Sequence, residues 1–190
     1  MTLRQTIEVV TKLAAKRAIK SYAIAGAVAA LNYIEPMLTE DLDVLISTDG
    51  FENRPSGLLL LSSIEKALAE LGYSKRSDVG YEIAGWPVQF LPVSSPLDEE
   101  GLEQAVEENF AQEGEEPVMA RVLRAEHVVA TALKLGRLKD LARIEEFLKQ
   151  DAVDLNRLKS VIKRHNLGSK WSEFCDKAGI ENPLMGIEWP

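Results

Sequence analysis

The most constraining feature of this sequence is a change of pattern near residue 123. Before it, short apolar segments typical of strands alternate with amphipathic segments typical of helices. After it, apolar residues recur at three- and four-residue steps, which predicts four consecutive helices. We therefore expect an α/β or α+β core at residues 1–123, with a helical C-terminal subdomain at residues 124–190 packed on it.

Two segments of the expected core predict strands, one ending at a turn and one at an open edge of the sheet. Tyr22–Ala25 predicts a short apolar strand that runs into a turn at Gly26. Thr39–Ile46 begins with alternating polar and apolar residues and ends fully apolar, which predicts a central strand reaching an open edge. Residues 79–84 and 86–93 predict neighbouring strands of a meander.

The net charge of −8 has a local origin. Residues 98–116 include nine acidic residues and neither Lys nor Arg. Leu102, Val106 and Phe110 follow at helical spacing, so we expect a second amphipathic helix here with a solvated acidic face. The alternative is a negative patch that binds a protein partner. Because potentials follow local charge, the low isoelectric point does not exclude a phosphate-bearing ligand elsewhere.

Composition excludes several classes of protein. The single cysteine, Cys175, excludes an intrachain disulfide and a Cys-rich zinc site. The longest apolar run, residues 23–31, is about half of what a membrane span needs. No segment at the beginning of the sequence resembles a signal peptide, so we expect a cytoplasmic protein that does not bind membranes.

Asp41 and Asp43 are the first candidates for chemistry. Residues two apart on a strand point to the same face, and paired carboxylates suit Mg²⁺, which keeps waters and substrate phosphates in its other positions. An isolated pair of this kind is more often two solvent-facing acids. The turn at Gly26 strengthens the hypothesis, because a glycine lets backbone N–H groups approach a phosphate closely.

These residues resemble the signature of the nucleotidyltransferase superfamily, the polymerase-β-like fold. Ala25-Gly26-Ala27, a spacer, and Asp41-Leu42-Asp43-Val44 match its pattern of a glycine turn followed by Asp-x-Asp among apolar residues. The stretch from Arg124 to Ile144 resembles the helical segment of the AbiEii-like, or minimal, branch. The resemblance implies a mixed sheet flanked by helices, with a C-terminal helical subdomain.

The resemblance also implies roles for individual residues. Asp41 and Asp43 would be catalytic and would bind Mg²⁺ or Mn²⁺; Gly26, Ala27 and Lys134 would contact a nucleoside triphosphate such as ATP. The implied reaction transfers a nucleoside monophosphate to a hydroxyl or phosphate acceptor and releases pyrophosphate. The acceptor is left open among nucleic acid, protein and small molecule.

Asp140, in the implied helical segment, is expected to orient a basic side chain rather than to perform chemistry. His127 lies on the same predicted helix face as Lys134 and is interpreted as a partly buried structural histidine, with a phosphate contact as the alternative.

The sequence departs from the family pattern at two positions. Ala27 replaces the Gly or Ser that usually follows the glycine. Gln89, in Val88-Gln89-Phe90-Leu91, stands where the family places a third carboxylate; its carbonyl oxygen is a weak metal ligand and cannot act as a base. Glu82 could substitute if the strand register brings it to the same face, although a solvated edge-strand acid is the simpler interpretation.

Two alternatives to an active enzyme remain open. The chain could be a catalytically impaired member of the fold that binds nucleotide or a protein partner, as in a toxin–antitoxin or abortive-infection system; Gln89 and Ala27 favour this interpretation and the intact Asp41/Asp43 pair opposes it. The other alternative is a helical interaction module that uses the acidic segment 98–116.

Overall fold

A computed structural model describes residues 2–47, 58–111 and 114–185. The described chain forms two compact units. The first comprises Met1–Val28 and Met37–Leu123, and the second comprises Ala29–Pro36 and Arg124–Pro190. Among the described residues, no helix combines the length and the apolar composition needed to cross a membrane.

The first unit is built on one six-stranded mixed sheet in the order β3-β4-β2-β1-β6-β5. The strands are β1 (Tyr22–Ile24), β2 (Leu42–Ile46), β3 (Tyr81–Ile83), β4 (Trp86–Pro92), β5 (Val106–Asn109) and β6 (Met119–Val122). The pairs β2–β4 and β1–β6 are parallel, and the other neighbouring pairs are antiparallel. The predicted mixture of strands and helices is confirmed.

In the described residues, four helices accompany the strands in chain order, and four more follow them. The first group is α1 (Leu3–Ala15), α2 (Gly26–Ala30), α3 (Leu58–Glu70) and α4 (Pro96–Glu103). The second group is α5 (Ala125–Leu135), α6 (Leu138–Lys149), α7 (Leu155–Arg164) and α8 (Gly168–Ala178). The four helices predicted after residue 123 are therefore confirmed.

The two faces of the sheet differ in chemistry because side chains alternate along each strand. Register partners across the strands place one set of apolar residues on a common face, and these side chains are fully buried: Ile24, Leu42, Val44, Val88 and Val122. The opposite face carries Asp43 and Gln89, both half-buried. The first face is therefore apolar along these strands, whereas the second carries the polar candidates together with the buried Ala23 and Leu45.

Helix α1 shows how local sequence fixes an element of this unit. The Thr2 hydroxyl accepts a hydrogen bond from the Gln5 N–H, and the Gln5 side chain accepts one from the Thr2 N–H, which together form a capping box. Ile7 and Leu13 are fully buried, as their spacing predicts. The buried Thr6 hydroxyl donates to the Ile83 carbonyl at 3.0 Å and ties the helix to β3.

The helix predicted through Leu102, Val106 and Phe110 is wrong. Helix α4 ends at Glu103, and Val106–Asn109 forms the edge strand β5, antiparallel to β6. The four-residue apolar spacing suits a helix, but long-range pairing with Met119–Val122 decides the outcome. The predicted helical acidic face is thus partly a strand edge.

In the second unit, residues 29–36 pack with segments more than a hundred positions later in the chain. The Tyr33 ring lies 6.1 Å from that of Phe147, centroid to centroid, and Phe147 is fully buried. The Glu35 N–H donates to the Gln150 side-chain oxygen at 2.9 Å. Helix α5 ends at Gly136, whose φ of +67° is the left-handed conformation typical of a helix C-cap.

Candidate functional site

Gly26 and Asp43 are in close contact at the turn between β1 and α2. The Ala25 N–H donates to the Asp43 carbonyl at 2.9 Å, which extends the β1–β2 ladder to the turn. Gly26 has a φ of +60°, and a Cβ atom at this position would collide with the Asp43 carboxylate. Glycine therefore suits both the positive φ and the close approach of the Asp43 side chain. The predicted strand-to-helix turn at Gly26 is confirmed, and Ala27 follows it as the second residue of α2.

Gln89 lies beside Asp43 on the neighbouring strand. The parallel β2–β4 register pairs Asp43 with Gln89, so their side chains project from the same face. Adjacent strands are about 4.8 Å apart, so the carboxylate and the amide can reach a common ligand. The position at which the sequence analysis expected a third carboxylate is therefore next to Asp43, and Gln89 occupies it.

Asp41 lies one residue before β2, because the strand begins at Leu42 rather than at the predicted Thr39. Asp41 is half-buried, and its carbonyl accepts a hydrogen bond from the Thr39 hydroxyl at 3.0 Å. Over the described part of the chain, no three His, Cys, Asp or Glu side chains cluster closely enough to hold a metal ion. The register brings the Asp43 carboxylate beside the Gln89 amide, and Asp41 lies two residues before Asp43, outside the strand.

Glu82 lies on the same face of the sheet as Asp43 and Gln89. It is opposite Pro87 in the antiparallel β3–β4 register, and Pro87 is two residues from Gln89, so all three share a face. The strand register therefore does bring Glu82 to the face that carries Gln89, as its substitution for the third carboxylate would need. Its carboxylate lies 2.6 Å from the Lys75 ammonium, an ion pair that sequence reasoning missed.

The remaining candidates belong to the second unit. Lys134 lies in the last turn of α5, where its carbonyl accepts a hydrogen bond from Lys170. His127, on the same helix, is almost fully buried, as expected for a structural histidine. Burial raises the pKa of the Cys175 thiol, so this cysteine is a poor nucleophile.

Asp140 organises arginines, as predicted. Its carboxylate is completely buried and accepts from the Arg137 guanidinium at 2.5 Å and 3.1 Å. Arg143 approaches the same carboxylate at 3.5 Å. A buried carboxylate between two guanidinium groups fixes the start of α6 and is not positioned by itself for catalysis.

No protein-family profile and no curated protein sequence matches the chain. A nucleotidyltransferase-like protein from Paracoccidioides brasiliensis is similar in structure, with a TM-score of 0.59 and 14% identity over 93% of this chain and 88% of that one.

The antibiotic-resistance factor ANT(2'')-Ia is similar in two structures, each at 14% identity and a TM-score of 0.52. Its solution structure covers 93% of this chain and 96% of that chain. Its crystal structure in complex with adenylyl-2''-tobramycin covers 90% of this chain and 99% of that chain. At this level of identity the similarity concerns the fold, and the chain has a nucleotidyltransferase-like α/β fold.

Proposed function

We propose that this protein binds a complex of a divalent metal ion with a nucleoside triphosphate and transfers the nucleoside monophosphate to a hydroxyl or phosphate acceptor. The observation that carries the proposal is the placement of Asp43, packed against the Gly26 backbone and in register with Gln89. A carboxylate in this position brings negative oxygen donors next to a backbone turn that has room for no side chain.

The donor set suits a hard cation. Asp41 and Asp43 provide carboxylate oxygens and Gln89 an amide oxygen, which are the ligands that Mg²⁺ and Mn²⁺ prefer. When bound, such a metal would stabilise charge on the attacking and leaving oxygens. The role of these three residues as metal ligands, and the catalytic role of Asp41 and Asp43, belong to this proposal.

The triphosphate is proposed to contact the backbone of Gly26 and Ala27. Gly26 and Ala27 support this because both are half-buried rather than buried and lie at the turn that the Asp43 carboxylate contacts. A phosphate contact of Lys134, which belongs to the second unit, stays a prediction. The bound adenylyl-2''-tobramycin of ANT(2'')-Ia favours ATP as the nucleotide and a small hydroxylated molecule as the acceptor. The AbiEii-like branch, a cytoplasmic location and a protein partner at residues 98–116 stay predictions.

A catalytically impaired nucleotide binder, as in a toxin–antitoxin system, is the second candidate function. One observation favours it: the residue in register with Asp43 is a neutral amide. An amide preserves an oxygen donor and removes a base, which is compatible with binding and unfavourable for turnover.

Titration calorimetry with Mg²⁺ and each of the four nucleoside triphosphates tests the binding step. We expect Mg²⁺-dependent binding by the wild type, and its loss in Asp41→Asn and Asp43→Asn, with the fold retained. Asp78→Asn, which changes an exposed aspartate of the same unit, is the matched control and should bind normally. Equal affinity in the wild type and both site variants would overturn the proposed function.

A further inference from the structure

A cavity lies between α4 and the second face of the sheet, within the first unit. Its volume is about 450 Å³, inside the range of about 300–1,000 Å³ that is typical of small-molecule sites. Ser21, Ser47 and Arg121 line it from the strands, and Leu102 lines it from α4. The cavity therefore combines polar groups with an apolar wall, as sites for small molecules do.

This cavity is separate from the candidate functional site at Gly26 and Asp43. Ser47 lies four residues after Asp43 on the same face, so at about 3.3 Å per residue the two are about 13 Å apart. The Ser47 N–H donates to the Ser21 carbonyl at 2.9 Å, at the end of the β1–β2 ladder opposite to Gly26. A ligand of the cavity would therefore be independent of the metal ion and the triphosphate of the proposed function.

Arg121 fixes the shape of the cavity. Its guanidinium donates to the Ser21 hydroxyl at 2.7 Å and to the Leu102 carbonyl at 2.9 Å. Carbonyl groups in the last turn of a helix carry a partial negative charge, so they stabilise this cation. Arg121 thus holds the end of α4 against the sheet and sets the width of the cavity.

Two carboxylates of α4 line the cavity and are exposed to solvent. Glu99 and Glu103 are four residues apart, so they lie on one side of the helix with Cβ atoms about 5–6 Å apart. Among the described residues, neither side chain forms a hydrogen bond or an ion pair. Glu107, opposite Arg121 in the β5–β6 register, adds a third carboxylate on the same face of the sheet. The local charge is therefore negative and favours a cationic ligand.

We propose that this cavity binds a short linear diamine. One ammonium group binds the Glu99 carboxylate and the other binds that of Glu103, because one helical turn between them matches a chain of a few methylene groups. The methylene groups pack on the apolar side chains of Leu102 and Val93, which both line the cavity. Neither an uncharged chain nor a single ammonium group would satisfy both carboxylates.

Backbone amide chemical shifts of the full chain, followed during titration with putrescine, test the inference. Putrescine is a diamine with four methylene groups. We expect saturable shifts confined to α4 and to the amides of Ser21, Ser47 and Arg121. Butylamine, with one ammonium group, should bind about fivefold more weakly, and uncharged butanediol should not bind. Added salt should weaken binding, because the ion pairs are exposed.

Variants separate this cavity from a general attraction of cations to acidic residues. Glu99→Gln and Glu103→Gln should each weaken putrescine binding about fivefold. Glu100→Gln is the matched control on the same helix: it makes the same change of charge, but Glu100 does not line the cavity and its carboxylate accepts from the Gln104 amide at 3.4 Å. It should bind as the wild type does. Val93→Phe, which reduces the cavity without changing charge, should also weaken binding.

Asp43→Asn should leave putrescine binding unchanged, and circular dichroism of every variant verifies folding. Wild-type affinity in both Glu99→Gln and Glu103→Gln would overturn the inference. So would butylamine binding as tight as that of putrescine, which would indicate a site for a single cation such as a lysine side chain of a partner. Shifts that spread over residues 98–116 and persist in Val93→Phe would also overturn it. Absence of Mg²⁺-dependent triphosphate binding would overturn the proposed function and leave this inference intact.

Discussion

Asp43 and Asp140 carry the same side chain in two opposite settings, one in each unit. Asp140 is completely buried and held between Arg137 and Arg143. Asp43 is half-buried, packed against the backbone of Gly26 and beside the neutral amide of Gln89. The comparison teaches that a carboxylate buried between arginines is part of the scaffold, whereas a half-buried carboxylate at a turn keeps part of its surface open to solvent.

The largest expected effect sharpens the scaffold side of this comparison. Removing one partner of a buried ion pair costs about 3–5 kcal/mol, and Arg137 is 54% exposed and can be rehydrated. We therefore expect Asp140→Ala to lower the free energy of unfolding by about 3 kcal/mol, measured by urea denaturation. Arg137→Ala should cost about 1 kcal/mol. A loss below 1 kcal/mol in Asp140→Ala would contradict its structural role.

The second effect tests the contact between Asp43 and Gly26. Gly26→Ala introduces a side chain at positive φ and a collision with the carboxylate, so we expect a loss of about 2–3 kcal/mol and of triphosphate binding. Gly179→Ala is the matched control: its φ of +63° is nearly the same, but its Cβ would meet nothing within 4 Å. It should cost about 1 kcal/mol.

The double variant Gly26→Ala/Asp43→Ala separates collision from backbone strain. Shortening Asp43 removes the colliding carboxylate, so part of the stability lost in Gly26→Ala should return in urea denaturation. Strictly additive losses in the two single variants would mean that the contact does not explain the glycine.

The smallest effect concerns the neutral neighbour of Asp43. Gln89→Asp places two carboxylates side by side in register, and like charges directly opposite each other destabilise a sheet by up to about 1 kcal/mol. Melting temperature should therefore fall without Mg²⁺ and recover when Mg²⁺ is added. Gln89→Asn, which is neutral and of the same size as Asp, should not respond to Mg²⁺ in this way. A Gln89→Asp melting curve that Mg²⁺ does not alter would exclude Gln89 from a metal site.

Local signals predicted the framework of the candidate site. The apolar segment ending at Gly26 and the segment bearing Asp43 each specify a short element within a few residues. Their pairing follows because both are apolar and neighbouring in sequence order. The division into a nucleotidyltransferase-like core at residues 1–123 and a helical C-terminal subdomain at residues 124–190 stays a prediction.

Long-range pairing accounts for what the sequence did not predict. Val106–Asn109 has helical spacing and becomes a strand because β6 is available to pair with it. Lys75 was missed because its approach to Glu82 depends on the register of an edge ladder, which few apolar residues specify. Whether Glu82 shares a face with Gln89 was likewise undecided until the register was known.

Residues 29–36 have a consequence for how the protein is made. Glu35 is synthesised long before Gln150, the residue to which it is hydrogen-bonded 115 positions later. At about 5–20 residues per second, the ribosome needs roughly 6–23 s to deliver that partner. During this interval Ile34, which is buried in the folded protein, lacks the residues after 123 that belong to the same unit. The second unit therefore cannot be completed until α6 and Gln150 have been synthesised, and an expression fragment beginning at residue 124 would lack a segment of its own core.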